Sequence, residues 1–277
     1  MSPTRQYVRF VTVAHDYLTH TNLINVPTAY FASPAFNLTP APIHINGVRE
    51  MNAPLFETLD RFGEEEAPKV FMEHMRVAFE LDAEPPHGAK RSYRASYLRL
   101  LRGWLFDSNR PEGAVMKGWA ESRFGLRPLY HAGPIPNINC DAYYRYVTER
   151  MNARFNNNAI HSQLDLLYEY CQYWLRRFGA RKEKGRRPLY RGVNRVEDDS
   201  QIIEKRDKRR WIVRNNSLVS YTADKERAGE FGDTILKIEA PYEKIICFPG
   251  LLPGGLPASE GEHLVLGGDY VSETVEF

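Results

Sequence analysis

The sequence predicts an α+β fold, in which helices come first and a small mixed or antiparallel β-sheet comes last. Two observations predict this fold class. Apolar residues recur at helical spacing up to about residue 178, and after Gly179 the chain changes to short β-rich segments that Gly and Pro separate. With 277 residues, 43% of them hydrophobic, the chain is long enough to bury a sizeable core.

Two segments have the clearest helical period. The stronger runs from about Ala159 to Phe178, where apolar residues form one stripe and polar residues lie off it. The second runs from about Tyr93 to Phe106 and is followed by turn-forming polar residues, after which Pro111 suits the first position of a further helix. The first stripe consists of Ile160, Leu164, Leu167, Cys171, Trp174 and Phe178, with Gln163, Glu169 and Arg176 off it; the second consists of Tyr97, Leu101, Trp104 and Leu105.

Six short segments of the last third have the composition of strands. They are Leu189 to Gly192, Leu218 to Tyr221, Thr234 to Ala240, Lys244 to Phe248, His263 to Leu266 and Tyr270 to Phe277. Two basic runs, Arg176 to Arg187 and Lys205 to Arg210, are predicted to be solvated loops; the alternative is that they attract an anionic protein partner.

Charge and cysteine content exclude several classes of function. Lys+Arg 37 against Asp+Glu 35 leaves a formal net charge of +2, so the chain has no overall field to hold a nucleic acid or an anionic membrane. Cys140, Cys171 and Cys247 are widely spaced, which argues against a disulfide framework and a thiolate zinc site. The sequence has neither the apolar run of a signal peptide nor that of a membrane span. We therefore expect a cytoplasmic protein.

The common motifs for metals and phosphates do not occur in the sequence. The eight histidines include no H-E-x-x-H and no close cluster with aspartate, so we predict no metal site. Neither G-x-x-x-x-G-K-[ST] nor G-x-G-x-x-G is found. A bound dinucleotide would therefore have to be held in another way.

Three spaced pieces of the predicted sheet have residues suited to chemistry. They are Leu189-Tyr190-Arg191-Gly192, Leu218-Val219-Ser220-Tyr221-Thr222 and Glu260-Gly261-Glu262. Taken alone, Arg191 is typical of a strand-end arginine in a salt bridge, and the two glutamates are typical of a solvated strand edge. Taken in order, they indicate one ligand crevice. The period of a strand puts Glu260 and Glu262 on the same face, so both would point at the same ligand. His263 points to the opposite face and is predicted to be structural.

This ordered set resembles the signature of the Arg-Ser-Glu class of ADP-ribosyltransferases, which consists of an aromatic-Arg pair, a Ser-Thr-Ser strand and a Glu-x-Glu pair. Ala228 and Phe231 lie where that class has a small residue and an aromatic one, and Phe248 to Pro257 resembles its target-recognition loop. Other segments are similar to bacterial dinitrogenase reductase ADP-ribosyltransferases, so the resemblance covers nearly the whole chain. These segments are Arg94 to Leu101, Phe106 to Asn109, Pro111 to Val115 and Asn157 to Gln172.

The resemblance implies two catalytic carboxylates. Cleavage of the bond between nicotinamide and ribose builds positive charge on the ribose, and Glu262 resembles the carboxylate that stabilises this charge. An arginine acceptor is protonated, so a second carboxylate must orient it and accept a proton; Glu260 resembles that group. Ser220 would orient Glu262 through a hydrogen bond. The residues implied to be catalytic are Glu262, Glu260, Ser220 and Arg191.

The resemblance also implies how NAD would be held. Arg191 would bind its phosphate and ribose oxygens, because a guanidinium donates two parallel hydrogen bonds, and Gly192 would let the backbone approach the nicotinamide amide. The residues implied to bind NAD are Arg191, Gly192, Tyr190, Ser220, Thr222, Phe231 and Glu262. The implied organisation is a helical region over 1–140 that supports target recognition, and an NAD-binding core with its preceding helices over 141–277.

The implied activity is mono-ADP-ribosylation of an arginine of dinitrogenase reductase, the nitrogenase iron protein, which switches nitrogen fixation off. A PII signalling protein is implied as a regulator. A histidine in place of Arg191 would instead indicate a diphtheria-type or poly-ADP-ribosylating enzyme. Two alternatives stay open. One is an NAD glycohydrolase without a protein acceptor, against which Glu260 argues; the other is a non-catalytic module that binds a nucleotide or a partner.

Overall fold

The computed structural model describes residues 17–82, 94–179, 185–196, 200–254 and 261–275. In these ranges the chain forms ten α-helices and six strands, and all but the last helix precede the sheet, which confirms the α+β prediction. The helices are α1 (Thr28–Phe31), α2 (Pro34–Leu38), α3 (Val48–Met51), α4 (Ala53–Leu59), α5 (Ala67–Ala78), α6 (Tyr97–Phe106), α7 (Pro111–Phe124), α8 (Asp141–Arg150), α9 (Ile160–Trp174) and α10 (Lys225–Ala228). The strands are β1 (Arg186–Val193), β2 (Gln201–Lys205), β3 (Arg210–Thr222), β4 (Thr234–Pro241), β5 (Ile245–Cys247) and β6 (Glu262–Val275).

Helix α9 lies at the centre of the helical region, within the helix that the sequence predicts. Its apolar stripe is buried from Ile160 to Trp174, but Gln163 and Glu169 are buried as well, because other elements enclose the helix. Oε1 of Gln163 accepts a hydrogen bond from the backbone N of Tyr97 (3.0 Å), and Oε1 of Glu169 accepts one from the backbone N of Ile45 (2.7 Å). The polar residues of this helix therefore tie it to its neighbours.

Helices α6 and α7 lie next to each other in the chain and in space. Among the described residues α6 begins at Tyr97; Tyr93, where the predicted helix starts, lies outside them. The hydroxyl of Ser96 caps the helix by accepting a hydrogen bond from the backbone N of Arg99 (3.4 Å). Pro111 begins α7, as the sequence predicts.

The sheet is antiparallel and has the order β2-β3-β1-β4-β6-β5. Because β3 also pairs with β6, the strands β3, β1, β4 and β6 form a closed ring, and β2 and β5 flank it. The basic run Lys205 to Arg210 forms the predicted exposed loop over residues 206–209, while its first residue ends β2 and its last begins β3. Strand β2 could not be predicted, because its mostly exposed residues lack an apolar alternation.

The prediction of two separate strands after His263 is wrong. These residues form one strand, β6, whose pairing with β3 shifts register between Asn215 and Leu218. At this irregularity Gly268 adopts a positive φ of 110°, where a Cβ would also lie 2.7 Å from the carbonyl oxygen of Ala32. The glycine therefore marks a bulge within a strand, where the sequence analysis had expected a break between strands.

One face of the sheet packs on the helices. Leu218 of β3 and Leu264 of β6 belong to the main apolar core with the helical region. The buried amino group of Lys244 joins the two parts, since it donates hydrogen bonds to the carbonyl oxygens of Phe31 (2.7 Å) and Gly267 (3.0 Å). Burial lowers the pKa of Lys244 well below its usual value. Side chains on this face of β3 and β6 thus lie against the helices, so that residues of both can contribute to one site.

The three cysteines are free thiols. No helix in the described ranges is long and apolar enough to cross a lipid bilayer. Within the same ranges no three His, Cys, Asp or Glu side chains are grouped so that they would hold a metal ion.

Candidate active site

Ser220 and Glu262, here called the serine–glutamate pair, meet where β3 ends and β6 begins. Thr222 lies opposite Glu262 in this ladder, and on its other side Thr222 lies opposite Tyr190 of β1. Cross-strand neighbours and residues two apart share a face, so all four side chains point the same way. The hydroxyl of Ser220 donates a hydrogen bond to Oε1 of Glu262. Both residues are half-buried, so the protein orients a carboxylate that solvent can still reach.

Arg191 lies on the same strand as Tyr190 but points to the other face. On that face its neighbours along the strand are Leu189 and Val193, which are buried in two separate small apolar clusters. Arg191 itself is half-buried between them. The strand geometry thus places Arg191 on a different face of β1 from the serine–glutamate pair, and its contact with NAD stays a prediction.

Gly192 lies on the same face of β1 as Tyr190, where a Cβ would be only 1.8 Å from the carbonyl oxygen of Ala228. Only glycine allows α10 and the 3₁₀ turn after it, Gly229–Phe231, to pack directly on β1. This packing accounts for the glycine by itself. The turn ends with Phe231, whose side chain is 66% exposed. The contacts of Gly192 and Phe231 with NAD stay predictions.

Tyr221 and Thr222 stand where the class signature has Thr-Ser, and the structure gives each a partner within the protein. Oγ1 of Thr222 accepts a hydrogen bond from the backbone N of Asp224 (3.1 Å), which begins the turn into α10. Tyr221 points to the opposite face, where its hydroxyl accepts a hydrogen bond from Nδ2 of Asn215 (2.9 Å). Thr222 therefore has a local structural role, and its predicted contact with NAD stays a prediction.

Cys247 of β5 lies beside the serine–glutamate pair, opposite Leu264 of β6. Burial raises the pKa of its thiol to about 12, and the negative charge of Glu262 acts in the same direction. A thiol with this pKa stays protonated at neutral pH and is a poor nucleophile. The chemistry available at this site therefore comes from the carboxylate and its hydroxyl partner.

Trp104 of α6 is a site residue that the sequence analysis missed. It was assigned to the core stripe of its helix and is indeed buried, but its Nε1 donates a hydrogen bond to Oγ of Ser220 (2.9 Å). A tryptophan in an apolar stripe is common in protein cores. Nothing in the sequence distinguishes this one, because only the packing of α6 on β3 brings it to the site.

Glu260 lies outside the described residues, as does the end of the segment that resembles a target-recognition loop. Its role stays a prediction. The part of that segment before the gap borders α6, where Nη2 of Arg102 donates to the carbonyl oxygen of Gly254 (3.5 Å). His263 is buried, and its Nε2 lies 3.3 Å from Nη1 of Arg187, which agrees with the predicted structural role.

The sequence pattern of the family described as dinitrogenase reductase ADP-ribosyltransferase (DRAT) matches residues 21–274. The NAD(+)--dinitrogen-reductase ADP-D-ribosyltransferase of Rhodospirillum rubrum is 48% identical over 258 residues, which cover 91% of this chain and 93% of that protein. No solved structure matches. The resemblance inferred from the motifs is confirmed, and the chain belongs to the dinitrogenase reductase ADP-ribosyltransferase family.

Proposed function

We propose that this protein transfers a single ADP-ribose from NAD to an arginine of dinitrogenase reductase, and that this modification inactivates the nitrogenase iron protein. The observation that supports the proposal is the half-buried serine–glutamate pair in a chain of this family. The name of the Rhodospirillum rubrum relative gives NAD as the donor and dinitrogen reductase as the acceptor. From family membership alone we extend the proposal to a PII signalling protein as the regulator and to the cytoplasm as the location.

In the proposed reaction the bond between nicotinamide and C1′ of the ribose breaks, and its electron pair leaves with nicotinamide. Glu262, oriented by Ser220, stabilises the positive charge that builds on the ribose. A guanidinium nitrogen of the acceptor then bonds to C1′ and loses a proton, for which we propose Glu260 as the base. Nicotinamide is cationic in NAD and leaves as a neutral base, so the proposed reaction needs no metal ion.

The nicotinamide end of NAD is proposed to contact the backbone of Gly192 and the exposed ring of Phe231. Tyr190 is proposed to contact NAD as well, because it shares a face of the sheet with Thr222 and Glu262. Arg191 is proposed to hold the phosphates from the adjoining face of β1, because its guanidinium is suited to bidentate contacts with phosphate oxygens.

The proposal is tested by the intact mass of purified dinitrogenase reductase after incubation with this protein and NAD. We expect a gain of one ADP-ribose, located on an arginine by fragmentation of the modified peptide. Glu262→Gln should give no gain. Glu273→Gln is the matched control, because Glu273 is an exposed glutamate of the same strand, and it should modify the acceptor like the wild type.

Two other results would contradict the proposal in different ways. Release of nicotinamide without a gain in mass of the acceptor would indicate an NAD glycohydrolase. If neither nicotinamide release nor a gain in mass is observed, the protein would be a non-catalytic module. Calorimetry would support that alternative if it shows that the protein binds NAD without cleaving it.

A further inference from the structure

The hydroxyl of Ser220 has a single proton and two hydrogen-bond partners. Trp104 is one of them, and its indole N–H is only a donor, so Oγ of Ser220 must accept there (2.9 Å). The serine proton is then directed to the second partner, Oε1 of Glu262. The direction of both hydrogen bonds is therefore fixed from the helix to the carboxylate.

Trp104 is itself held firmly by the contact between α6 and α7. The preceding residue, Gly103, lies so close to α7 that a Cβ would be 2.5 Å from Cγ of Glu112. Nζ of Lys117 lies 5.8 Å from the centroid of the indole ring. That ammonium is anchored in turn by the carbonyl oxygen of Tyr130 (3.0 Å). The buried indole thus has a fixed position from which to donate.

We propose that Trp104 is a positioning residue for the transfer reaction. By donating to Ser220 it keeps the serine hydroxyl, and through it Glu262, in the orientation that stabilises charge on the ribose. This inference rests on the proposed function. It assigns the helical region a part in the chemistry, in addition to the role in target recognition that the sequence analysis gave to it.

The direct test is Trp104→Phe, which keeps an aromatic ring and removes the N–H donor. We expect kcat for transfer to fall about three- to tenfold, the range for loss of one hydrogen bond of ordinary strength. KM for NAD should change by less than about twofold, because Trp104 contributes through orientation of Glu262. A kcat equal to that of the wild type would overturn the proposal.

Trp119→Phe is the matched control for structural loss. Trp119 is also buried in the helical region, and its Nε1 donates to Oδ1 of Asp165 (2.7 Å) and not to Ser220. This variant should lose stability and keep kcat per folded molecule. An equal fall of kcat in both variants would mean that Trp104 acts only through the stability of the fold.

A double-mutant cycle with Ser220→Ala separates positioning from a direct effect. If Trp104 acts through Ser220, Trp104→Phe should have no further effect on kcat when Ser220 is already alanine. Independent, additive losses would overturn the proposed route from Trp104 to Glu262.

A second measurement does not depend on catalysis. The chain has four tryptophans, so a protein with ¹⁵N-labelled tryptophan should give four indole N–H signals, and Trp104→Phe identifies one of them. Ser220→Ala should move that signal upfield and speed its hydrogen exchange, while the Trp119 signal stays in place. If the Trp104 signal does not change in Ser220→Ala, the proposed role of Trp104 is overturned and the proposed function is not affected. A wild-type protein that neither cleaves NAD nor modifies the acceptor would refute the proposed function, and the role of Trp104 with it.

Discussion

Asp269 and Glu262, two carboxylates in the ladder between β3 and β6, have opposite surroundings. Asp269 is buried, and both of its oxygens accept hydrogen bonds from Arg214, at 2.7 Å from Nε and 2.9 Å from Nη2. Glu262 is half-buried, and the hydroxyl of Ser220 holds its Oε1. The strands and their antiparallel pairing are the same, so burial and the partner decide what each carboxylate does.

The difference has a physical reason. When one guanidinium binds both oxygens of a buried carboxylate, the two charges compensate each other and attract a ligand only weakly. Such a pair holds two strands together. A carboxylate oriented by a neutral hydroxyl keeps its charge for a cation that develops nearby. We therefore expect changes at Asp269 to affect stability and changes at Glu262 to affect chemistry.

The largest expected effect on stability is that of Asp269→Asn. This variant leaves the buried Arg214 without its counter-charge, and the free energy of unfolding should fall by about 3–5 kcal/mol. Urea unfolding followed by circular dichroism measures it. As a control, Glu239→Gln removes the exposed partner of Lys237 (3.2 Å) and should change the free energy of unfolding by less than about 0.5 kcal/mol. Similar losses in the free energy of unfolding for the two variants would contradict the structural role assigned to Asp269.

Glu169 of α9 adds a third case, because it is a buried carboxylate whose ion-pair partners are more distant: Nδ1 of His44 lies 3.7 Å and Nε of Arg49 lies 4.0 Å from its Oε2. Its Oε1 accepts from the backbone N of Ile45 (2.7 Å). Burial raises the pKa of Glu169 from 4.5 to about 7. The unfolded chain therefore loses this proton at a lower pH than the folded protein. The contribution of Glu169 to stability should fall as the pH rises from about 4.5 to about 7 and stay constant above that.

The test is Glu169→Gln, which keeps an acceptor for the backbone N of Ile45 and does not ionise. Relative to the wild type, its free energy of unfolding should rise by about 1–3 kcal/mol between about pH 4 and about pH 8. Unfolding curves at several pH values give this difference. A difference that does not vary with pH would show that Glu169 is compensated in the folded protein as fully as Asp269.

The smallest expected effect is that of Thr222→Val at the site end of the ladder. This variant keeps the branched shape and loses the acceptor for the backbone N of Asp224, so the free energy of unfolding should fall by about 1 kcal/mol. KM for NAD should stay within about twofold of the wild-type value, since the hydroxyl is engaged in the turn. A much larger rise in KM would instead support the contact with NAD that the family resemblance implies.

Much of the site could be predicted because its residues lie on strands close to their ends. The spaced motif indicated that Ser220 and Glu262 would lie in one crevice, and the register of β3 and β6 agrees. The helix Ala159 to Phe178 and the start of α7 at Pro111 followed from local periodicity and from the chemistry of proline.

Other features depend on contacts between distant parts of the chain. Trp104 and Ser220 are 116 residues apart, and no local pattern links an apolar helix position to a strand hydroxyl. The continuity of β6 through Gly268 depends on how that glycine meets Ala32. The opposite orientation of Arg191 from the serine–glutamate pair also required the register of β1. The division of the chain at residue 140 stays a prediction.

The most direct test of this account compares initial rates of ADP-ribose transfer per folded molecule for the wild type and Glu262→Gln, with the urea midpoint of each measured in parallel. The account predicts a rate about 10²–10³ times lower in the variant, the effect of removing one charge-stabilising group, together with an unchanged midpoint. A variant that transfers ADP-ribose at the wild-type rate would contradict the assignment of chemistry to the serine–glutamate pair.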